Sequence, residues 1–354
     1  MEVLLKVDWN VLNTYIENKK IIANKHPEYD IWILNYSKET AFERAWDIYT
    51  LSCRGLVVDA EGNVLARPYM KFFNYEEVVE TVNINRPFEA YEKMDGSLII
   101  LFYYAKTQEW LVASRGSFIS DQAVMARKIV EDKIDTILLS SAHTYIFELI
   151  APTNRIVVNY GDVEDLVLLG MIERDGGNEV SYDEMVYEHS NHLNIVKRYY
   201  TYDDIFSVED IRNFQEDNRE GFVIRFEDGN RIKVKFDEYC RLHRIVTNVS
   251  NKSVWEHLMM GNSFEELLDR VPDEFYVNLQ TVISDFNIKY KELELDILKE
   301  FYRIYHIEGI VERKEFAETA LKSTNSGFLF TLYDGKSYEK AIWKKIKPNN
   351  FEKI

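Results

Sequence analysis

Tyr91-Glu92-Lys93-Met94-Asp95-Gly96-Ser97-Leu98 sets a lysine two residues before an Asp-Gly-Ser turn, and an apolar run from Leu98 to Phe102 follows at once. A lysine amine is a weak nucleophile while protonated. A catalytic lysine therefore needs a site that favours its neutral form, through desolvation or nearby positive charge. A turn of this kind presents backbone N–H groups and a hydroxyl beside the amine, which suits a phosphate-bearing partner. An exposed lysine ahead of an ordinary turn would leave the same local pattern, so the remaining segments of the chain must decide between the two.

The next informative stretch runs Glu220-Gly221-Phe222-Val223-Ile224-Arg225-Phe226-Glu227, then Asp228-Gly229-Asn230, then Arg231-Ile232-Lys233-Val234-Lys235-Phe236. Asp-Gly or Gly-Asn between two apolar-rich runs signals a β-hairpin with a two-residue turn. Side chains alternate faces along a strand, so Lys233 and Lys235 share one face. A two-residue loop pairs residues whose numbers sum to an odd value, which puts Glu220, Phe222 and Ile224 on that face too. An exposed charged face would carry polar residues at 222 and 224. Their apolar character predicts a lined pocket with charges at its rim. A three-residue loop would reverse the parity.

Working outward, the spacing predicts a helix over Trp9 to Ile22, a strand over Tyr29 to Tyr36 and a helix over Glu39 to Trp46. Leu51 to Ala66 reads as a hairpin turning at Asp59-Ala60-Glu61-Gly62. Short strands are expected at Ala90 to Glu92, Leu98 to Tyr104, Trp110 to Ser114 and Thr144 to Ile150, with a helix over Ser120 to Leu139. Short strands alternating with a few helices predict an α+β domain of antiparallel sheets over residues 1–244. Beyond Arg244 helix formers dominate, with apolar residues at three- and four-residue steps such as Leu279, Val282, Ile283, Phe286 and Tyr290. Residues 245–354 are expected to form a separate all-helical domain whose aromatic and methionine stripes are core.

At 354 residues and 46% hydrophobic composition, the chain can bury two cores, since single cores rarely grow past about 250 to 300 residues. Six Pro and 14 Gly mark it as folded chain and not linker. Cys53 and Cys240 follow neither a metal spacing nor a disulfide framework, which fits a reducing cytoplasm. The N-terminus lacks the pattern of a signal peptide, and the apolar runs are too short to span a bilayer, so no membrane association is expected. A net charge of −17 argues against gripping nucleic acid over the whole surface. Basic residues still gather locally, at Lys233 to Arg244 and at Lys336 to Lys353, the second as consistent with a solvated helix face as with an RNA contact.

Further segments accompany the lysine turn in a fixed order: Arg54-Gly55, Arg67-Pro68-Tyr69-Met70-Lys71-Phe72-Phe73-Asn74, Ser114-Arg115-Gly116-Ser117 with Gln122-Ala123, and Phe147-Glu148-Leu149-Ile150-Ala151-Pro152-Thr153-Asn154-Arg155-Ile156-Val157. Glu148 sits within an apolar strand, where an unpaired carboxylate would be costly and calls for a metal or a cation. With Lys93, Glu220, Lys233 and Lys235, this order resembles the covalent nucleotidyltransferases, the ATP-dependent ligases and capping enzymes. Within them it closely resembles the T4 RNA ligase 1 family from about Tyr36 to His243. The C-terminal region matches only in length and helical character.

The resemblance implies a nucleotidyltransferase domain followed by a helical domain that could carry RNA specificity. It implies an ATP-dependent RNA ligase acting through lysyl-AMP and RNA-adenylate, with Lys93 as nucleophile. Arg54 and Lys71 would grip the triphosphate, Phe73 would line the nucleotide site, and Glu92 would lie beside it. Glu148 and Glu220 would hold hydrated magnesium, or manganese, or the ribose. Lys233 and Lys235 would meet the α-phosphate, and Tyr239 matches a tyrosine after that motif. Arg115 replaces a lysine of the T4 relative, keeping charge but not geometry. Tyr36, with Leu34 as the competing position, would contact ATP, and Glu265 or Glu266 would supply a further metal contact. The implied partners are single-stranded or broken RNA ends, with tRNA as one candidate, acted on by a monomer in RNA repair, in host cytoplasm if phage-encoded. A DNA ligase, a GTP-using capping enzyme and a catalytically silent RNA-binding relative are the competing readings. The Lys71 to Asn74 and Ala151 to Val157 stretches, and the intact charged set, speak against them.

Overall fold

The computed structural model describes residues 4–200, 207–247, 250–262 and 276–348. The chain divides into two compact units, Met1–Val246 and Thr247–Ile354. In the first, a four-stranded sheet of order β1-β2-β3-β4 forms from β1 (Ile21–Lys25), β2 (Ile31–Tyr36), β3 (Arg54–Asp59) and β4 (Val64–Ala66). The later strands are β5 (Phe73–Asn74), β6 (Phe88–Glu92), β7 (Ser97–Tyr104), β8 (Glu109–Ser114), β9 (His143–Ile150), β10 (Asp165–Glu173), β11 (Asn194–Ile195), β12 (Arg198–Tyr200), β13 (Gly221–Phe226) and β14 (Arg231–Lys235). They build two five-stranded sheets, ordered β11-β10-β9-β7-β8 and β12-β6-β13-β14-β5. Antiparallel pairing dominates, and β10 with β11 and β14 with β5 are parallel.

Burial follows the side-chain period of two. One face of the first sheet, Leu34, Leu56 and Val58, packs on Leu12 of the helix Trp9–Glu17. The other face, Ile31, Ile33 and Val57, packs on Ile100 and Phe102 of β7. Ile99 and Leu101 point the opposite way, toward Ala126, Ile129 and Val130 of the helix Asp121–Lys133. β7 is thus covered on both faces, and its unbroken apolar run follows from that. The helix expected to reach Ile22 stops at Glu17, because Lys19 takes a left-handed backbone (φ 56°) and Ile21 enters β1 as a buried core residue.

The hairpin over residues 221–235 departs from its expected register. Gly221 pairs with Lys235, Phe222 with Val234, Val223 with Lys233 and Ile224 with Ile232. These sums are even, so the loop is the three residues Glu227-Asp228-Gly229, with Gly229 left-handed at φ 82°. A three-residue turn ending in a left-handed glycine is the next most common hairpin solution. Phe222 and Ile224 therefore do not line a pocket beside the lysines. They are fully buried on the opposite face, packed with Ile232 and Val234.

The described elements of the second unit are helices, Asn251–Met260, Tyr276–Tyr302, Arg313–Ala320, Ser326–Tyr333 and Glu339–Lys345, with a π-helical turn at Arg303–Ile307. Leu279, Ile283 and Phe286 are buried, as their spacing predicts, and Ile304, Phe316, Ala320 and Leu329 form a separate small core. No helix among the described residues is long and apolar enough to cross a membrane.

Candidate active site

The lysine turn is pinned from both sides. β6 delivers Lys93, whose backbone N–H donates to the Gly221 carbonyl at 2.9 Å. Asp95 is buried. Its carboxylate accepts from the Val157 and Val158 N–H groups at 2.8 and 2.7 Å and from the Tyr239 hydroxyl at 2.8 Å. The Asp95 N–H donates to the Tyr160 hydroxyl at 2.8 Å. Ser97 Oγ donates to Asn154 Oδ1 at 3.1 Å, and Asn154 Nδ2 donates to the Leu149 carbonyl at 3.0 Å. The three bonds to the Asp95 carboxylate are of the charge-assisted kind, among the stronger ones. They clamp the turn to the Ala151–Val157 stretch. Gly96 permits the approach, since a Cβ there would lie 2.2 Å from the Leu149 carbonyl oxygen.

Across the third sheet, Lys93, Gly221 and Lys235 lie in one row. Gly221 pairs with Lys235 on one side and bonds to Lys93 on the other. Gly221 has φ 139°, and a Cβ there would meet the Val234 carbonyl oxygen at 2.1 Å. This glycine breaks the alternation that would otherwise carry Glu220 to the far face. The Glu220 carboxylate lies between the two amines, with Lys93 Nζ at 2.7 Å from Oε2 and Lys235 Nζ at 2.8 Å from Oε1. Its side chain is only 3% exposed. Burial opposes its ionisation, but the Lys235 and Lys93 ammonium groups outweigh that and hold its pKa at about 2.

Glu148 behaves oppositely. It sits in β9 opposite Leu98 of β7, and its Oε1 accepts from the Gly96 N–H at 3.2 Å. Crowding by protein atoms pushes its pKa up to about 7. Lys93 and Arg54 favour the anion, while Glu220 and Asp95 oppose it, and desolvation prevails. A carboxyl raised on folding binds its proton more tightly in the folded chain, so it lowers stability as pH rises from about 4.5 toward 7. Glu148→Gln should remove that component. Urea unfolding of wild type and variant at pH 5 and pH 7.5 checks this: the variant should gain relative stability at the higher pH, and an equal difference at both would refute it.

Arg54 and Lys233 approach the Phe72 ring at 5.3 and 5.4 Å from its centroid. Lys71 Nζ lies 5.5, 5.5 and 5.3 Å from the ring centroids of Tyr36, Trp46 and Phe73, and the Arg115 guanidinium lies 5.6 Å from Tyr36. β5 lies parallel to β14, pairing Phe73 with Ile232 and Asn74 with Lys233, which ties this aromatic group to the lysine strand. Tyr239 is buried against Asp95, with Lys235 Nζ 5.1 Å from its ring, so it shapes the lysine turn from below. Glu92 is drawn to Arg219, whose Nε is 3.4 Å from Oε1. Glu265 and Glu266 lie outside the described residues.

Among the described residues no group of three or more His, Cys, Asp or Glu is arranged to hold a metal ion. A magnesium ion that keeps most of its waters needs only one or two carboxylates together with substrate phosphates. Glu148 fits that demand. Both oxygens of Glu220 are engaged by lysines. Sequence reading missed Trp46, Asp95, Tyr160 and Arg219. The one available signal was Asp95 itself, which occupies the middle of the opening motif.

Residues 52–240, just over half of the chain, match a family described as RNA ligase, of the T4 RNA ligase 1 type. A protein of Autographa californica nuclear polyhedrosis virus, assigned as a bifunctional polynucleotide kinase/RNA ligase, is 24% identical over 301 residues, covering 75% of this chain and 40% of its own length. A protein of Rhodothermus phage RM378 named RNA ligase is 23% identical and covers 91% of both chains. Among solved structures, a Naegleria gruberi RNA ligase variant with AMP and Mn overlaps 49% of this chain and 57% of its own, at 15% identity and a TM-score of 0.42. The chain therefore spans well under two thirds of the baculovirus and Naegleria proteins.

Proposed function

This chain belongs to the RNA ligase family of the T4 RNA ligase 1 type, and on that premise we propose that it seals RNA 5′-phosphate and 3′-OH ends at the expense of ATP, with Lys93 as the covalent carrier of AMP. The observation that carries this is the row Lys93–Glu220–Lys235, with an amine, a buried carboxylate and a second amine in contact. In the first step the Lys93 ammonium, paired with Glu220, gives up one proton to solvent and the neutral Nζ then attacks the α-phosphorus. An N–P bond forms, the bond to the bridging oxygen breaks, pyrophosphate leaves and the amine's proton passes to solvent. In the second step an oxygen of the RNA 5′-phosphate attacks the same phosphorus, the N–P bond breaks and the lysine regains a proton. In the third the 3′-OH oxygen attacks the RNA 5′-phosphorus, its proton goes to solvent and AMP leaves.

Each residue then has a physical task. Glu220 holds Lys93 in place through contacts that also orient Lys235. Lys235 and Lys233 offset the charge that builds on phosphorus, and Arg54 and Lys71 receive the β- and γ-phosphates, so that positioning and electrostatics supply most of the acceleration. Glu148 would hold a hydrated magnesium ion, which when bound neutralises phosphate charge. The substrates on this reading are single-stranded or broken RNA ends, tRNA among them, in a repair setting such as that of a phage. The helical unit would adjust the choice of RNA.

The deciding experiment incubates the protein with magnesium and α-labelled ATP or GTP, then chases with 5′-phosphorylated RNA or DNA. Acid-labile label is expected from ATP, followed by its transfer to RNA and by sealed product. Selective labelling by GTP would favour a capping enzyme, transfer to DNA alone a DNA ligase, and no label a silent binding relative.

A further inference from the structure

We propose that Trp46 is a positioning residue that holds the Lys71 ammonium ready for the triphosphate and thereby governs the first step of the reaction but not the last. The inference rests on the reading of Lys71 as a triphosphate contact. Trp46 closes a cage around Lys71 whose other walls are Tyr36 and Phe73, all three ring centroids lying within 5.3 to 5.5 Å of Nζ. The rings brace one another. Trp46 stands nearly perpendicular to Tyr36 at 5.0 Å and to Phe73 at 5.4 Å. Trp46 thus touches every other member of the cage.

The backbone on either side of Trp46 is fixed. Asp47 caps the following helix, its Oδ1 accepting from the Thr50 N–H at 2.9 Å while the Thr50 hydroxyl accepts from the Asp47 N–H at 2.8 Å. Asp47 Oδ2 also accepts from the Tyr15 hydroxyl at 2.7 Å. On the preceding side, the Ala45 N–H donates to the Thr40 carbonyl at 3.0 Å. Lys71 is anchored to the same segment, its N–H donating to the Leu51 carbonyl at 2.8 Å. Lys71 is 9% exposed, so the position of its head group is tightly limited.

Aromatic faces attract an ammonium group most strongly where water is scarce, and among the rings indole is best. Being uncharged, the rings restrict where the ammonium sits without themselves neutralising it. Only the first step involves the β- and γ-phosphates. Sealing of an already adenylylated RNA involves neither.

The test compares partial reactions. With Trp46→Leu, the KM for ATP in lysyl-AMP formation should rise about three- to thirtyfold, the worth of one cation–π contact, with a smaller change in maximal rate. Trp46→Tyr and Trp46→Phe, which keep a ring and the packing, should fall between wild type and Trp46→Leu, in keeping with the rank of the rings. Sealing of pre-adenylylated RNA, which keeps the adenylate but not the β- and γ-phosphates, should lose severalfold less than lysyl-AMP formation, as expected when the main contact is absent from that step. In a Lys71→Met background, Trp46→Leu should add nothing, because coupled residues are not additive. A parallel loss in sealing, a full Trp46→Leu effect without Lys71, or an unchanged KM would overturn the proposal. A wild-type protein that forms no lysyl-AMP would instead overturn the functional reading on which it rests.

Discussion

Lys93→Ala is expected to abolish incorporation of label from α-labelled ATP, by more than about 10⁴-fold, as loss of a covalent nucleophile does. Sealing of 5′-phosphorylated RNA should disappear with it, because both later steps draw on AMP that Lys93 delivers. The fold should survive. Glu220 keeps Lys235 at 2.8 Å as its counter-ion, so removing one amine leaves no buried carboxylate unpaired. The backbone contacts of the turn, from Lys93 N–H to Gly221 and from Asp95 to Val157 and Val158, do not use the lysine side chain. Circular dichroism melting should place the variant within a few degrees of wild type, since exchanging one partly exposed contact typically costs about 1 kcal/mol. Label that persists in the variant, and maps to another residue, would overturn the assignment.

Glu220→Gln should act through stability as well as chemistry. The substitution keeps the shape of the side chain but leaves the Lys93 and Lys235 ammonium groups facing one another with no anion between them. Breaking a buried ion pair by removing one partner costs on the order of 3–5 kcal/mol, and the side chain exposures of 18%, 8% and 3% for Lys93, Lys235 and Glu220 put this site toward the lower end. The pH dependence has a definite sign. A carboxyl whose pKa is depressed to about 2 stabilises the fold above its unfolded value near 4.5, and the contribution is lost as pH falls from there toward 2. Urea unfolding should therefore show a large gap between wild type and Glu220→Gln at pH 7 that narrows toward pH 3. Adding Lys235→Met should recover part of the lost stability, because removing both partners is cheaper than stranding one. It should not recover lysyl-AMP formation. A gap that stays constant with pH would mean that Glu220 contributes packing and not charge.

The two acidic residues near Lys93 show why residue type alone is a poor guide to ionisation. Glu220 is the more deeply buried and is the one held ionised, because two amines touch it. Glu148 is held toward neutrality because desolvation outweighs the pull of Lys93 and Arg54, with Glu220 and Asp95 adding to it. A magnesium ion bound there, as proposed, would favour the anion of Glu148 and so make metal affinity depend on pH.

Much of the architecture could be read from order and spacing. The alternation of short strands, the helix expected from Ser120 (to Leu139, though it ends at Lys133), the apolar steps from Leu279 to Phe286 and the succession from Arg54 through Lys93 and Glu148 to Lys235 depend on patterns local to each segment or on the order of segments along the chain. Such patterns survive without knowledge of distant contacts. The hairpin shows the limit: Glu220 does meet Lys235, but one extra loop residue reversed the faces, and the positive φ of Gly221 restored the contact by a route that alternation cannot express. The Tyr239–Asp95 bond joins residues 144 positions apart, and the Lys71 cage draws on Tyr36 and Phe73 from two strands and Trp46 from a loop. The lysine turn itself was written in the motif. Which carboxylate sits between its amines, which tyrosine supports it from below and which tryptophan closes the neighbouring cage were decided by packing, because strand register and loop length set those approaches to within a single residue.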